Sequence, residues 1–284
     1  MLNDLYHALD PVAFWIGPFA IRWYGLGYLF GLLLGGWLIL HTARRWRLSF
    51  SLDALLSVLV ASAFGIIVGA RLGYALFYGG DYYFSHPAEI ITGIASGGMS
   101  FHGGLLGMVI AMVVVARVTR MPLLTLGDLI VIAAPIGIFL VRIANFINGE
   151  LWGAPTDLPW GVIFSDTGGG TVPRHPSQLY EAALEGAVMF VILNILALKQ
   201  PPRPRGSFLG LFLLLYGVFR VLVEFVRQPD AQIGYLFGDW LTMGMLLSAP
   251  MIVAGIAFLL FAHRKRLPQQ GLPQLEEASD SSKV

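Results

Sequence analysis

Apolar runs of about 20 residues recur from one end of the chain to the other, and polar residues gather in the short stretches between them. At 1.5 Å of rise per residue, about 20 helical residues cross the roughly 30 Å hydrocarbon core of a bilayer. Seven spans are predicted, at about 19–40, 54–78, 98–116, 126–143, 178–198, 207–227 and 240–262. The expected fold is therefore all-α, a polytopic membrane protein with seven transmembrane helices. Glycine predicts where helices touch. Gly27, Gly31 and Gly35 in the first span, Gly65, Gly69 and Gly73 in the second, and Gly103 and Gly107 in the third repeat every fourth residue, which lets backbones approach closely in lipid.

The breaks between runs define the remaining parts. Gly79-Gly80-Asp81-Tyr82-Tyr83-Phe84-Ser85-His86-Pro87 opens an aromatic, turn-rich arm at about 79–97, expected to lie at the membrane interface without crossing. Residues 144–177, between spans four and five, carry Gly149, Gly153, Pro155, Pro159, Gly168-Gly169-Gly170, Pro173 and Pro176. That stretch is too broken for a span and too long for a turn, and is read as a small folded head. Residues 1–268 are expected to form a single integral membrane domain, and the polar residues 269–284 a disordered cytoplasmic tail.

Composition sharpens this picture. Of 284 residues, 56% are hydrophobic and 12% charged, which excludes an ordinary soluble domain. The start, Met1-Leu2-Asn3-Asp4, lacks the basic region of a secretory signal, so no cleaved peptide is expected. Cysteine is absent, so any thiol in the chemistry must come from a partner. Orientation follows from the basic clusters Arg44, Arg45 and Arg47; Arg117 and Arg120; Lys199, Arg203 and Arg205; and Arg264, Lys265 and Arg266. With seven crossings these fall on one side, which is cytoplasmic by the positive-inside rule, leaving the amino terminus periplasmic. With Lys283 of the tail set aside, six basic residues remain, all arginine: Arg22, Arg71, Arg142, Arg174, Arg220 and Arg227. They fall in the outer parts of spans or in outer loops. Arginine's planar fork suits bidentate phosphate, so an anionic phosphate ligand from the outer leaflet is expected.

The candidate chemistry has a structural reading beside each functional one. On span six, Tyr216, Arg220, Glu224 and Arg227 lie close to one helical face, either as a structural Arg220–Glu224 pair or as a ligand site with excess positive charge. Arg71, Tyr74 and Tyr78 make a similar stripe on span two, and Arg22-Trp23-Tyr24-Gly25 opens span one; both also fit interfacial belts. His102, between Gly97-Gly98 and Gly103-Gly104, is either a bonded structural residue or a proton carrier. Where span four meets the head, Asn148-Gly149 fits helix termination, while Arg142 reads as a phosphate ligand with Glu150 as its orienting partner and Asn145 beside them. Ser177 is expected to cap the helix that carries Glu181 in its first turn, a better reading than a catalytic pair with His175. Glu181 and Glu185 lie one turn apart without a histidine at ligand spacing, so no metal site is expected.

Five segments together resemble the bacterial prolipoprotein diacylglyceryl transferase family: Arg22-Trp23-Tyr24-Gly25, Gly97 to Gly104, Arg142 to Gly153, Arg174 to Glu181, and Phe219-Arg220 through Glu224-Phe225 to Arg227-Gln228-Pro229-Asp230. Val141 stands where the family's signature segment normally has glycine, but every polar position of the segment matches. The resemblance implies seven spans with a periplasmic amino terminus in the bacterial inner membrane. It implies transfer of the diacylglyceryl group of phosphatidylglycerol to the lipobox cysteine thiol of preprolipoprotein signal peptides, forming a thioether and releasing glycerol phosphate. By matching motif it implies that Tyr24, His102, Arg142 and Arg220 serve catalysis. Asn145, Gly153, Glu150, Glu224, Arg71, Tyr78 and Arg227 are expected to bind substrate. Neither a cofactor nor a nucleic-acid partner is expected, and the chain is expected to act as a monomer. Two rival classes are an anion transporter, which would use intramembrane arginines for conduction, and an intramembrane serine protease using Ser100 with His102. Residues two apart point to different sides of a helix or strand, which disfavours the latter.

Overall fold

The computed structural model describes residues 2–93, 97–229, 234–238 and 240–273. A short helix α1 (Leu2–His7) and a hairpin of β1 (Val12–Ile16) and β2 (Phe19–Arg22) precede the first long helix, α2 (Trp23–Arg45). The second is α3 (Leu52–Phe77), followed by two short helices, α4 (Tyr82–Ser85) and α5 (Glu89–Thr92). Then come α6 (Phe101–Thr119), α7 (Leu123–Ile147), α8 (Ser177–Ala197) and α9 (Ser207–Glu224). A second small hairpin, β3 (Tyr235–Phe237) with β4 (Leu241–Thr242), leads into α10 (Met243–Lys265). Seven of these helices are long and apolar enough to cross a membrane, as the hydropathy pattern predicts, and the protein is a multi-pass membrane protein.

The span edges move where apolar residues have another use. The first span begins at Trp23 rather than about 19, because Phe19–Arg22 pairs antiparallel with Val12–Ile16 as a strand. The last begins at Met243, where Thr242 turns out of the β4 ladder and its hydroxyl accepts from Met245 N at 3.2 Å. Ser177 is the first residue of α8 and not its cap. Its hydroxyl donates to Leu151 O at 2.9 Å instead.

The chain divides into two compact units. One comprises Met1–Thr42 and Gly127–Gln269. In it Gly31 packs on Gly137 of α7, and α9 meets α10 through Gly210, Gly217 and Gly255. Within residues 144–177, the segment read as a head, Phe146, Val162 and Phe164 form a core with Tyr6 of α1. Tyr6 and Phe164 meet edge to face at 4.8 Å between ring centroids, and Asn3 Oδ1 accepts from Ile163 N at 2.9 Å. Far from the head, Asp128 of α7 is buried and accepts from Gly206 N, Leu209 N and Gln269 Nε2 at 2.7–2.8 Å, thereby satisfying the start of α9.

The other unit comprises Ala43–Leu126 and Gln270–Val284. Its centre is the contact of α3 with α6, where Gly65, Gly69 and Gly73 face Gly103 and Gly107 with backbone against backbone. Residues 269–273 depart from the expected tail. Gln269 bonds Asp128 in the first unit, and in the second Gln270 N reaches Thr125 Oγ1 at 3.4 Å and Leu272 N reaches Ser49 O at 2.7 Å. Residues 274–284, including Lys283, and Asp230 lie outside the described residues.

Candidate active site

Glu181, in the first turn of α8, organises the polar residues of the first unit. Its carboxylate is buried, with 1% of the side chain exposed, and three arginines from three segments converge on it. Arg142, in α7, brings Nε to Oε2 at 2.5 Å. Arg220, in α9, brings Nη1 to Oε1 at 3.1 Å, and Arg227, just past the end of α9, brings Nη1 to the same oxygen at 3.2 Å. Arg220 also pairs through Nη2 with Glu224 Oε2 at 3.0 Å. The Arg220–Glu224 pair of the structural reading therefore exists, embedded in a larger cluster. Like charges this close need a shared counterion, and a carboxylate accepts on both oxygens, so one glutamate can order three forks.

The sequence assigned this ordering role to Glu150, and the structure corrects it. Glu150 reaches Arg142 only through Asn145: Asn145 Nδ2 donates to Glu150 Oε2 at 3.2 Å, and Arg142 Nη1 donates to Asn145 Oδ1 at 3.4 Å. Asn148 Nδ2 donates to the other Glu150 oxygen at 3.3 Å. The turn that presents Glu150 needs left-handed backbone at Gly149 and Leu151 and is tied to α8 by Ser177 and by Gln178 Nε2, which donates to Glu150 O. Among the described residues, Nη2 of Arg142 makes no bond, and 17% of this side chain remains exposed.

Two glycines make room for the cluster. A side chain on Gly153 would strike His175 Cβ at 2.7 Å and the His175 carbonyl at 2.8 Å. Its absence lets residues 153 and 154 run between His175 and Val226, with Gly153 N donating to His175 O at 2.8 Å and Ala154 N to Val226 O at 3.0 Å. That crossing fixes the backbone at Arg227, with which Gly153 forms a bridge. Gly244, in the first turn of α10, faces the Glu224 carboxylate, which a Cβ would approach to 2.5 Å.

Around the cluster, Tyr24 is half-buried near the start of α2, and its hydroxyl accepts from that of Tyr28 at 3.3 Å. Tyr28 lies within electrostatic range of Arg142 and Glu150. Arg174 serves the head: its guanidinium lies 4.2 Å over the Trp152 ring and donates through Nε to Gly169 O at 2.5 Å. His175 sits 3.2 Å from the Tyr180 hydroxyl, and burial lowers its pKa. Arg22 ends β2 and is exposed.

In the second unit, Arg71 is buried at 3% exposure, with its donors spent on backbone carbonyls: Glu89 O at 2.6 Å, Ile90 O at 2.7 Å, Gly97 O at 2.8 Å and Gly98 O at 3.2 Å. It fastens the arm rather than presenting a bare fork. Tyr78, at the end of α3, is exposed and stacks on Tyr74 with centroids 5.9 Å apart. His102 is exposed in the first turn of α6, and Ser100 caps that helix by accepting from Gly103 N at 3.3 Å. The hydroxyl of the protease reading is thus occupied as a cap.

Glu181 and Tyr28 are the members sequence reasoning missed. For Glu181 the signal was available: a carboxylate one turn into an apolar span needs a cation, and the outer arginines outnumbered their assigned partners.

A set of long apolar helices that gathers three arginines, in or just past the spans, on one buried carboxylate defines the class of integral membrane proteins with an intramembrane ionic cluster. Residues 11–261 match the family model described as prolipoprotein diacylglyceryl transferase, and the chain belongs to that family. It is 46% identical over 275 residues to the phosphatidylglycerol–prolipoprotein diacylglyceryl transferase of Aliivibrio salmonicida, covering 97% of this chain and 95% of that one. The same-named proteins of Methylocella silvestris and Brucella canis are each 48% identical, over 265 and 268 residues. The alignments cover 92% and 90% of this chain and 96% and 93% of the relatives.

Proposed function

We propose that the protein transfers the diacylglyceryl group of phosphatidylglycerol to the lipobox cysteine of preprolipoproteins at the outer face of the bacterial inner membrane, acting as a monomer. The observation that carries this reading is the Arg142–Arg220–Arg227 cluster on Glu181, with Arg142 Nη2 unclaimed among the described residues. A guanidinium ordered by a buried carboxylate and open on one edge suits a phosphodiester, and the family match supplies the reaction.

In that reaction the cysteine sulfur attacks the glycerol carbon that bears the phosphate. A C–S bond forms, the C–O bond breaks, and the electron pair leaves on the phosphate oxygen as glycerol phosphate. Arg142 and Arg220 hold the phosphate and stabilise the charge that develops on it, a role preorganised cations fill best where water is scarce. Asn145 and Tyr24 orient lipid or peptide. Glu150 fixes Asn145, Glu224 fixes Arg220, and Gly153 sets the backbone that carries Arg227. Arg71 and Tyr78 contribute through the arm, Arg71 by anchoring it. A cysteine of pKa about 8.5 is mostly protonated at neutral pH, so the thiol proton has to be removed. His102 takes or relays it.

The test is the full chain in vesicles containing phosphatidylglycerol and a lipobox peptide. The peptide should gain one diacylglyceryl group while glycerol phosphate appears in equal amount. Anion flux without lipid consumption would support a transporter instead. His102→Gln is expected to reduce the rate by about 10²–10⁴-fold, the usual contribution of a general base, and to change the pH–rate profile. A largely retained rate with an unchanged profile would take His102 out of the proton path and leave an arginine-polarised thiolate.

A further inference from the structure

At the opposite end of α9 from the Glu181 cluster, a cavity of about 570 Å³ opens between the ends of α8, α9 and α10. Its wall has two chemistries. Leu196, Leu211 and Leu259 line it with aliphatic carbon, one from each helix, while Arg203, His263 and Arg266 stand at its rim and are exposed. Among the described residues, neither arginine forms a salt bridge. Arg203 precedes the start of α9 and Arg266 follows the end of α10, so the charged rim falls at helix ends and the aliphatic wall within the helices. From Ser207 to Arg220 is 13 residues of one helix, about 20 Å along its axis, so this cavity is separate from the arginine cluster.

We propose that this cavity is a second lipid site, which takes an anionic phospholipid with its phosphate on Arg203 and Arg266 and an acyl chain along the three leucines. The charge argument is direct: two guanidiniums without carboxylate partners sit where an apolar slot meets water, and basic pockets between transmembrane helices are suited to lipid phosphates. The aliphatic wall distinguishes a lipid from free phosphate, which has no use for it. The proposal does not depend on the transferase reading, since none of these residues belongs to the cluster that reading uses.

The experiment places the full chain in phosphatidylcholine nanodiscs containing a trace of phosphatidic acid with a photoreactive acyl chain. After irradiation, peptides covering residues 196–211 and 259–266 should carry the label. The double variant Arg203→Gln/Arg266→Gln should weaken labelling there by about 25-fold, on the basis of roughly a five-fold effect per basic residue near a membrane surface. Leu259→Trp, which fills the slot and leaves both charges, should do the same, and serves if the double variant fails to fold by thermal unfolding. Equal labelling by a phosphatidylcholine probe would reduce the cavity to bulk lipid contact and overturn the proposal. So would labelling unchanged in both variants. Competition by millimolar inorganic phosphate would overturn it in favour of a free-anion site. Labelling that appears only after deletion of residues 274–284 would assign the cavity to the chain's own acidic end.

Discussion

Glu181→Gln is expected to lower diacylglyceryl transfer by about 10²–10³-fold, more than loss of any single arginine's other partner. The substitution keeps the shape but turns one acceptor oxygen into an NH2 donor and removes the one negative charge shared by Arg142, Arg220 and Arg227. Removing one partner of a buried ion pair costs about 3–5 kcal/mol, because the remaining charge is left uncompensated. Here three guanidiniums repel one another once the carboxylate is gone, and each ~1.4 kcal/mol lost from the transition state is a tenfold loss in rate. Glu224→Gln is the internal comparison. Among the described residues, Arg220 pairs with that carboxylate, and Arg220 keeps Glu181, so a loss of about tenfold is expected. Transfer rates and thermal midpoints of both variants in detergent check this. A Glu181→Gln protein within threefold of the parent would show that the arginines do not need their common counterion.

The other large effect lies in the second unit. Gly65→Val is expected to prevent α3 and α6 from packing, with a loss of stability of about 1–3 kcal/mol or more, as overpacked interiors show. Even the first carbon of a side chain at Gly65 would come within 2.5 Å of the Gly107 carbonyl oxygen and 2.8 Å of Ala111 Cβ. A carbonyl held in a helix cannot step aside as a flexible side chain can, so the helices must separate. Gly104→Ala makes the contrast. Its new carbon would meet Ala70 Cβ and Ile66 O at 3.4 Å, which is close to ordinary contact, and a change of only a few tenths of a kcal/mol in stability is expected, since helical Ala also has the better propensity. Thermal unfolding of the two variants in the same detergent decides the matter. Equal midpoints would mean that the α3–α6 contact yields more readily than its geometry implies.

The sequence pattern carried the number of spans, their approximate limits and the glycine contacts, because both lipid exposure and close backbone approach leave a local mark on residue type. It did not carry the two small hairpins, since an apolar strand such as Phe19–Arg22 and the first turn of an apolar helix have the same composition. The site was legible in part. Arg142, Asn145, Arg220, Glu224 and Arg227 do meet in space, but their ordering partner was read from proximity in sequence, and Glu150 is only two residues from Asn148 while Glu181 lies on another helix. Pairings across helices depend on which faces meet, and spacing within one helix says nothing of that. Arg71 illustrates the same limit, because the carbonyls that absorb its donors come from the short helix α5 and from Gly97 and Gly98, whose placement no periodicity encodes.

Within α8, residues Ala182–Val188 form a π-helix, wider than the turns on either side. The buried positions Glu181, Glu185, Met189, Leu193 and Ala197 recur at every fourth residue along this helix. In an α-helix four residues overshoot a full turn by about 40°, so such a row drifts steadily around the axis. A turn closed by i to i+5 bonds takes more residues and drifts less, or backwards. The wide stretch therefore works as a phase corrector. It lets one helix keep its two carboxylates and its apolar residues in a single line, so that the charged end and the oily end of α8 share the same buried edge. A single-residue deletion between Met189 and Ala197, in the ordinary α-helical part, would remove neither carboxylate, yet it would turn the ionic end by about 100° relative to the residues beyond it. In this region, then, length is under a constraint as strict as residue identity.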